Sequence, residues 1–141
     1  MLKIKTYLDR SEIHGIGLFA GQDINKGSLI WEFNPHVDLA YNCQQWKAIR
    51  DSVTPQSFAA LERYSYKEGN TYYLCLDNAQ FMNHSLVGSN VVNRPDNTMV
   101  ARCDICQGEE LRCNYFEYSD FDDVHINALR HHEAQQAMVS E

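Results

Sequence analysis

The sequence lacks an apolar run long enough to cross a membrane as a helix. Its opening, MLKIKTYLDRSEIHG, has no signal-peptide core. No basic localisation run is present either. These absences lead us to expect an intracellular protein, with the cytoplasm favoured and a nucleus possible in a eukaryote. Basic residues are in the minority: 12 Lys and Arg face 19 Asp and Glu, a formal net charge of −7. Such a balance argues against direct nucleic-acid binding, which wants a basic face. It suits a basic partner, such as a lysine-rich protein segment or a cationic cofactor. Cysteine is odd in number, with five residues at 43, 75, 103, 106 and 113, and without a secretory signal they read as reduced thiols. Only Cys103 and Cys106 have the Cys-x-x-Cys spacing. A structural zinc needs four ligands and no second pair exists, so no metal is expected.

What is present is strand-rich. The 141 residues suit a single domain, residues 1–141, with one core. LKIKTYL alternates apolar and polar residues as a half-buried strand does. A turn at Asn25 to Gly27 feeds a strand over Leu29 to Phe33. Residues 42–50 and 55–64 carry helical periodicity, and Thr54-Pro55 reads as an N-cap followed by proline at the first helical position. TYYLCLD is a strand, and NVVNRPDNTMVARCDI a hairpin across Arg94 to Asn97. Asp122 to Met138 is expected to be an amphipathic helix. Asp23-Ile24-Asn25-Lys26-Gly27 and Asp104-Ile105-Cys106-Gln107-Gly108 share the pattern D-I-x-x-G, which reads as two similar turns in a β scaffold.

Several stretches carry chemistry-bearing residues. His14-Gly15-Ile16-Gly17 sets two glycines around one apolar residue, where backbone approaches a ligand closely. It is not a dinucleotide fingerprint, because the third glycine and the following helix are missing. FMNHSLVGSN, residues 81–90, holds five neutral polar side chains, Asn83, His84, Ser85, Ser89 and Asn90, and no carboxylate. Glu109 and Glu110 are adjacent on an extended segment and therefore face opposite ways. Tyr115 sits in an aromatic cluster with Phe116, Tyr118 and Phe121, for which core packing is the default. His131 and His132 are about 100° apart on a helix and do not share a face as ligands.

Taken in order, GIGLFA, IWEFNP, FMNHS and GEELRCNY resemble the motifs of the SET-domain protein-lysine methyltransferases, and the resemblance spans nearly the whole chain. It implies a mainly β fold: a β-clip of several short sheets with a pseudoknot, in which the Asn-His-Ser segment and the Tyr strand cross. A variable helical insert would occupy residues 38–69. A C-terminal segment, 116–141, would end in a helix and close the lysine channel. The implied cofactor is S-adenosyl-L-methionine, giving S-adenosyl-L-homocysteine as product. His14, Gly15, Ile16, Gly17, Asn83, His84 and Phe116 would hold it. Tyr115 would be the catalytic residue, and Phe33, Tyr72, Tyr73, Cys113 and Tyr118 would line the channel. Ser85 and Asn90 would hold the crossing segments. The implied partner is a basic, lysine-containing protein, with the chain a monomer or homodimer.

The sequence departs from the family pattern at several places. Gln80 and Met82 replace the Arg and Ile of R-F-I-N-H-S. Phe33 stands where E-Y-x-G has Tyr, and Cys113 where the last motif has an aromatic residue. The downstream zinc-binding cysteines are absent. A smaller Cys113 and a Phe33 without hydroxyl lead us to expect a di- or trimethylated product. Two other classes stay open on the residues alone: a SET-fold binding module without turnover, and a thiol or zinc protein built on Cys103 and Cys106.

Overall fold

The computed structural model describes residues 1–117. In chain order its strands and helices are β1 (Thr6–Arg10), β2 (Ile16–Ala20), β3 (Leu29–Glu32), β4 (Asp38–Asn42), α1 (Cys43–Ser52), α2 (Pro55–Tyr64), β5 (Ser65–Glu68), β6 (Thr71–Cys75), β7 (Asn83–His84), β8 (Val91–Arg94), β9 (Thr98–Ala101) and β10 (Arg112–Cys113). Short 3₁₀ turns cover Asn78–Phe81 and Tyr115–Glu117. The helix expected over Asp122 to Met138, the His131-His132 pair and Tyr118 lie outside the described residues.

The strands form three small sheets. β1 pairs with β2, β4-β6-β5 make a three-stranded sheet, and the largest sheet has the order β3-β9-β8-β10-β7. The last is the mainly β, crossed architecture that the sequence predicts. β7 and β8 are joined by residues 85–90, yet β10 lies between them, parallel to both, with Arg112 opposite Asn83 and Cys113 opposite His84 and Val91. The late strand therefore passes beneath the earlier connection.

Local chemistry accounts for the elements. Asn42 caps α1 through its side chain on the Gln45 N–H, and the Gln45 side chain returns to the Asn42 N–H, so two orphan donors are satisfied reciprocally. Thr54 caps α2 from outside and Pro55 occupies its first turn, where a missing N–H costs nothing. The hairpin β8–β9 turns at Asn97, which takes the left-handed conformation at φ 60°, one that Asn tolerates better than most side chains.

The first strand is shorter and later than the alternation in LKIKTYL predicts. Leu2 bridges Trp31 and the Lys3 N–H bonds Ile30 O at 2.8 Å, so residues 2–4 serve the β3 side. Only from Thr6 does the chain pair with β2. The alternation is present, but it serves two sheets in succession. Leu2 and Ile4 pack on a core centred on Leu18, Ile30, Trp31, Val91, Ile105, Leu111 and Cys113, each at most 2% exposed.

Candidate active site

The site is built where β2, β7 and the segment into β10 meet. Ser11 opens the loop into β2. Its N–H bonds Gly15 O at 2.8 Å, and its Oγ accepts from the N–H groups of Ile13 and His14 at 3.0 and 3.3 Å. The turn needs φ +51° at Gly15, where glycine carries no penalty. A Cβ there would meet open space.

Gly17 has a different reason. A Cβ on it would fall inside the van der Waals envelope of the Glu110 carboxylate and 3.1 Å from Ser11 Cβ. Glycine at 17 is thus needed for the close approach of a neighbouring side chain. Glu110 Oε1 accepts from Ser11 Oγ at 2.8 Å and from Asn83 Nδ2 at 3.0 Å. Glu109 turns the other way, its Oε2 accepting from the Cys106 N–H. The alternation of a strand separates the two carboxylates, as the sequence predicts.

Asn83 joins the two halves of the site. Its Nδ2 lies 3.1 Å from His14 O and 3.2 Å from Ile16 O, across 69 and 67 residues of chain. His14, Ile16 and Asn83 therefore converge through one amide. His84 Nδ1 accepts the Tyr115 N–H at 3.0 Å, which leaves Nδ1 without a proton and fixes the tautomer. Its ring lies 5.1 Å from that of Tyr115 and 5.0 Å, edge-on, from that of Phe116. Tyr115 donates its hydroxyl to Met82 O at 2.6 Å. Burial, with the Cys113 thiol beside it, holds that hydroxyl well above the ordinary phenol range, so it is neutral.

The crossing is held mainly by Asn90, 6% exposed. It donates to Glu110 O at 2.9 Å and accepts the Arg112 N–H at 2.8 Å, while its own N–H bonds Arg112 O. Ser85 contributes its backbone N–H to Cys113 O, and its hydroxyl caps the 85–88 turn at Gly88.

The aromatic residues divide into two groups. Tyr73 meets Phe33 edge-on at 5.9 Å and stacks on Tyr66 at 5.2 Å. Tyr72, next in the strand and hence on the other face, stacks on Trp46 of α1 at 4.8 Å. Tyr72 thus packs on the helical insert, and Tyr73 beside Phe33. Cys113 is 1% exposed within the core, its Sγ 4.0 Å from Asn83 O. All five cysteines are free, and among the described residues no three His, Cys, Asp or Glu side chains converge as a metal site requires. Sequence reasoning missed Ser11 and Glu110. The signal for Glu110 was its alternation away from Glu109, but no local pattern shows what that far side touches.

The SET-domain family model matches residues 15–116. The chain belongs to the SET-domain family, in which methyl transfer from S-adenosylmethionine to protein lysines is the general activity. Among solved structures, a Plasmodium falciparum protein assigned as a histone methyltransferase has TM-score 0.53 and 20% identity, over 81% of this chain and 95% of that one. An apo polycomb repressive complex 2 with substitutions in Ezh2 has TM-score 0.61 and 19% identity, over 90% of this chain. A humanized mutant of the Chaetomium thermophilum complex bound to the inhibitor GSK126 has TM-score 0.58 and 18% identity, over 83%. The alignment spans 16% of each of those polycomb chains. At these identities the likeness is one of fold. No curated protein matches the chain.

Proposed function

We propose that the protein is an S-adenosylmethionine-dependent protein-lysine N-methyltransferase. The observation that supports this best is the hold of the Asn83 amide on both His14 O and Ile16 O, with His84, Phe116 and Tyr115 alongside. The residues present fit the cofactor. Loop carbonyls suit an ammonium group, the rings of His84 and Phe116 suit a flat base, and open space lies over Gly15. S-adenosylmethionine would supply an electrophilic methyl group on sulfur.

The chain's own residues then have three tasks. The first is to bring a neutral amine. A free lysine has a pKa of about 10.4, so deprotonating it at pH 7 costs roughly 4–5 kcal/mol. A dry aromatic channel lowers that cost by disfavouring the charged form. Phe33 and Tyr73, with Tyr66 stacked behind, would supply the walls; Cys113 remains a candidate, as does Tyr118 from the resemblance alone. The second task is alignment. Tyr115 spends its only hydroxyl proton on Met82 O, so its lone pairs are left to accept an amine N–H and aim the nitrogen. The third is to hold the methyl donor in line, which removes much of the entropic barrier. The site needs no general base from Tyr115, whose hydroxyl stays protonated.

The formal charge of −7 supports a basic, lysine-containing protein as substrate. The free cysteines support an intracellular setting. Phe33 offers no hydroxyl and Cys113 little bulk, which favours a di- or trimethylated product.

Incubation with isotopically labelled S-adenosylmethionine and a mixture of basic proteins, followed by mass-spectrometric site mapping, tests the reading. Label on lysine ε-nitrogens, lost in Tyr115→Phe, is the expected result. Cofactor binding without transfer to any protein would leave a SET-fold binding module instead.

A further inference from the structure

We infer that Glu110 is the counter-charge for the ammonium group at the amino-acid end of the cofactor, an inference that rests on the cofactor reading above. Glu110 is half-buried on the extended segment entering β10. Its neighbours Leu111 and Cys113 go into the core, at 0% and 1% exposure, so Glu110 faces the other way. Its Oε1 is held twice, by Ser11 Oγ and Asn83 Nδ2. Its Oε2 accepts no hydrogen bond among the described residues.

Among the described residues no Lys, Arg or His forms an ion pair with Glu110. Arg112, two residues on and on the same face, sends its guanidinium towards the 85–88 turn instead. A Cβ on Gly88 would lie 3.0 Å from Arg112 Nη1. A carboxylate partly removed from water and left unpaired raises the energy of the empty site, and a bound cation recovers it.

The acceptor count then points to one kind of cation. His14 O, Ile16 O and Glu110 Oε1 all surround Asn83 Nδ2, at 3.1, 3.2 and 3.0 Å. That nitrogen is the Asn83 amide itself, which leaves each carbonyl a second lone pair and, among the described residues, the second carboxylate oxygen unused. A primary ammonium has three N–H donors. His14 O, Ile16 O and Glu110 Oε2 are three acceptors carrying one negative charge, which match it in number and in charge. An anionic group in the same place would be repelled. Ser11 and Gly17 become part of the same device: the hydroxyl orients the carboxylate, and the missing Cβ lets it lie against the loop.

The test is a mutant cycle in which one deletion is made on the ligand. Calorimetry measures binding of S-adenosylhomocysteine, and of its analogue with hydrogen in place of the amino group, to the wild-type protein and to Glu110→Gln. Gln keeps the shape of the side chain and the acceptor for Ser11. The wild-type protein should lose at least about tenfold in affinity when the ammonium is removed, as expected for a charge-assisted bond. Glu110→Gln should weaken the parent ligand by a similar factor and the deamino analogue hardly at all. Equal loss on both ligands in Glu110→Gln would make Glu110 only a brace and overturn the inference. So would a wild-type protein indifferent to the amino group, a measurement that needs no variant to fold. If the wild-type protein binds neither ligand, the cofactor reading fails with it; if it binds both equally well, only the Glu110 inference fails.

Discussion

Ile24 and Ile105 exchange two backbone hydrogen bonds, each 2.8 Å, across 81 residues of chain. They are the second residues of the two D-I-x-x-G turns, and the turns clasp one another. Asp104 Oδ1 accepts the Lys26 N–H at 2.8 Å, and Asp23 Oδ1 accepts the Gln107 N–H at 2.8 Å. Each aspartate closes the other's turn. The glycines Gly27 and Gly108, at φ 82° and 92°, let both turns reverse. Ile24 and Ile105, 3% and 1% exposed, carry the clasp into the core.

The clasp divides its stability unequally. Asp104→Ala removes an exposed hydrogen bond and should cost about 0.5–1.5 kcal/mol. Ile105→Ala leaves a cavity in the core and should cost about 2–5 kcal/mol. Urea unfolding with matched slopes measures both; an Asp104→Ala loss as large as that of Ile105→Ala would contradict this division.

Asn90 should be the costliest polar residue to remove. Asn90→Ala strips partners from Glu110 O and the Arg112 N–H, both at the crossing, at about 1–3 kcal/mol for each group left dry. Asn90→Asp keeps an acceptor for Arg112 and should lose less. Hydrogen exchange of the Arg112 amide checks the mechanism: it should accelerate in the alanine variant and stay protected in the aspartate one.

Alkaline pH should weaken the fold. Burial pushes the hydroxyls of Tyr66 and Tyr115 and the thiol of Cys75 above their ordinary values, with smaller contributions from Cys75 on Tyr66, from Cys113 on Tyr115, and from Asp38 on Cys75. Below the unfolded values both states hold these protons, and no stability depends on them. Above about 8.5 for the thiol and about 10 for the phenols, the unfolded chain releases protons that the folded one keeps. Stability therefore falls as pH rises through those unfolded values. Urea midpoints at pH 7, 9 and 10.5 should decrease in that order, and a midpoint that holds steady to pH 10.5 counts against the burial argument.

Tyr115→Phe should reduce turnover at least about a hundredfold, roughly 2.7 kcal/mol on the barrier. It also frees Met82 O, for a stability loss of about 0.5–1.5 kcal/mol. Because the hydroxyl is neutral, the rise of rate with pH between 7 and 9 should belong to the substrate amine and persist in the variant. A rise that vanishes in Tyr115→Phe would make the phenolate a base after all.

Tyr72 and Tyr73, adjacent in sequence, should separate in function. Tyr73→Ala opens the group with Phe33 and Tyr66 and should raise KM for a protein substrate. Tyr72→Ala removes the stack on Trp46 and should cost about 0.5–1.5 kcal/mol beyond its lost area, with KM little changed. Steady-state kinetics beside thermal melts tests the split, and the reverse pattern would exchange the two roles.

Much of this was legible in the sequence for local reasons. Thr54-Pro55 starts a helix because a cap oxygen and a missing N–H act within one turn. The β8–β9 hairpin follows from turn residues between two apolar runs. The ordered motifs around Gly15, Asn83 and Tyr115 pointed to the family before any strand was paired. The opposition of Glu109 to Glu110 needed only the pleat of a strand.

The rest depended on which surfaces meet. Side-chain alternation says that Tyr72 and Tyr73 part company, but only the packing of α1 decides which one Trp46 takes. The two D-I-x-x-G turns look alike in sequence, yet each aspartate bonds the turn that it does not belong to. Gly17 lacks a side chain because of a carboxylate 93 residues later, and Asn83 binds a loop nearly 70 residues earlier. Local signals set conformation over a few residues, where dihedral sterics and neighbouring hydrogen bonds dominate. The site is assembled from contacts between distant segments, and those are selected by how the whole chain buries its apolar surface and still satisfies every polar group that goes with it.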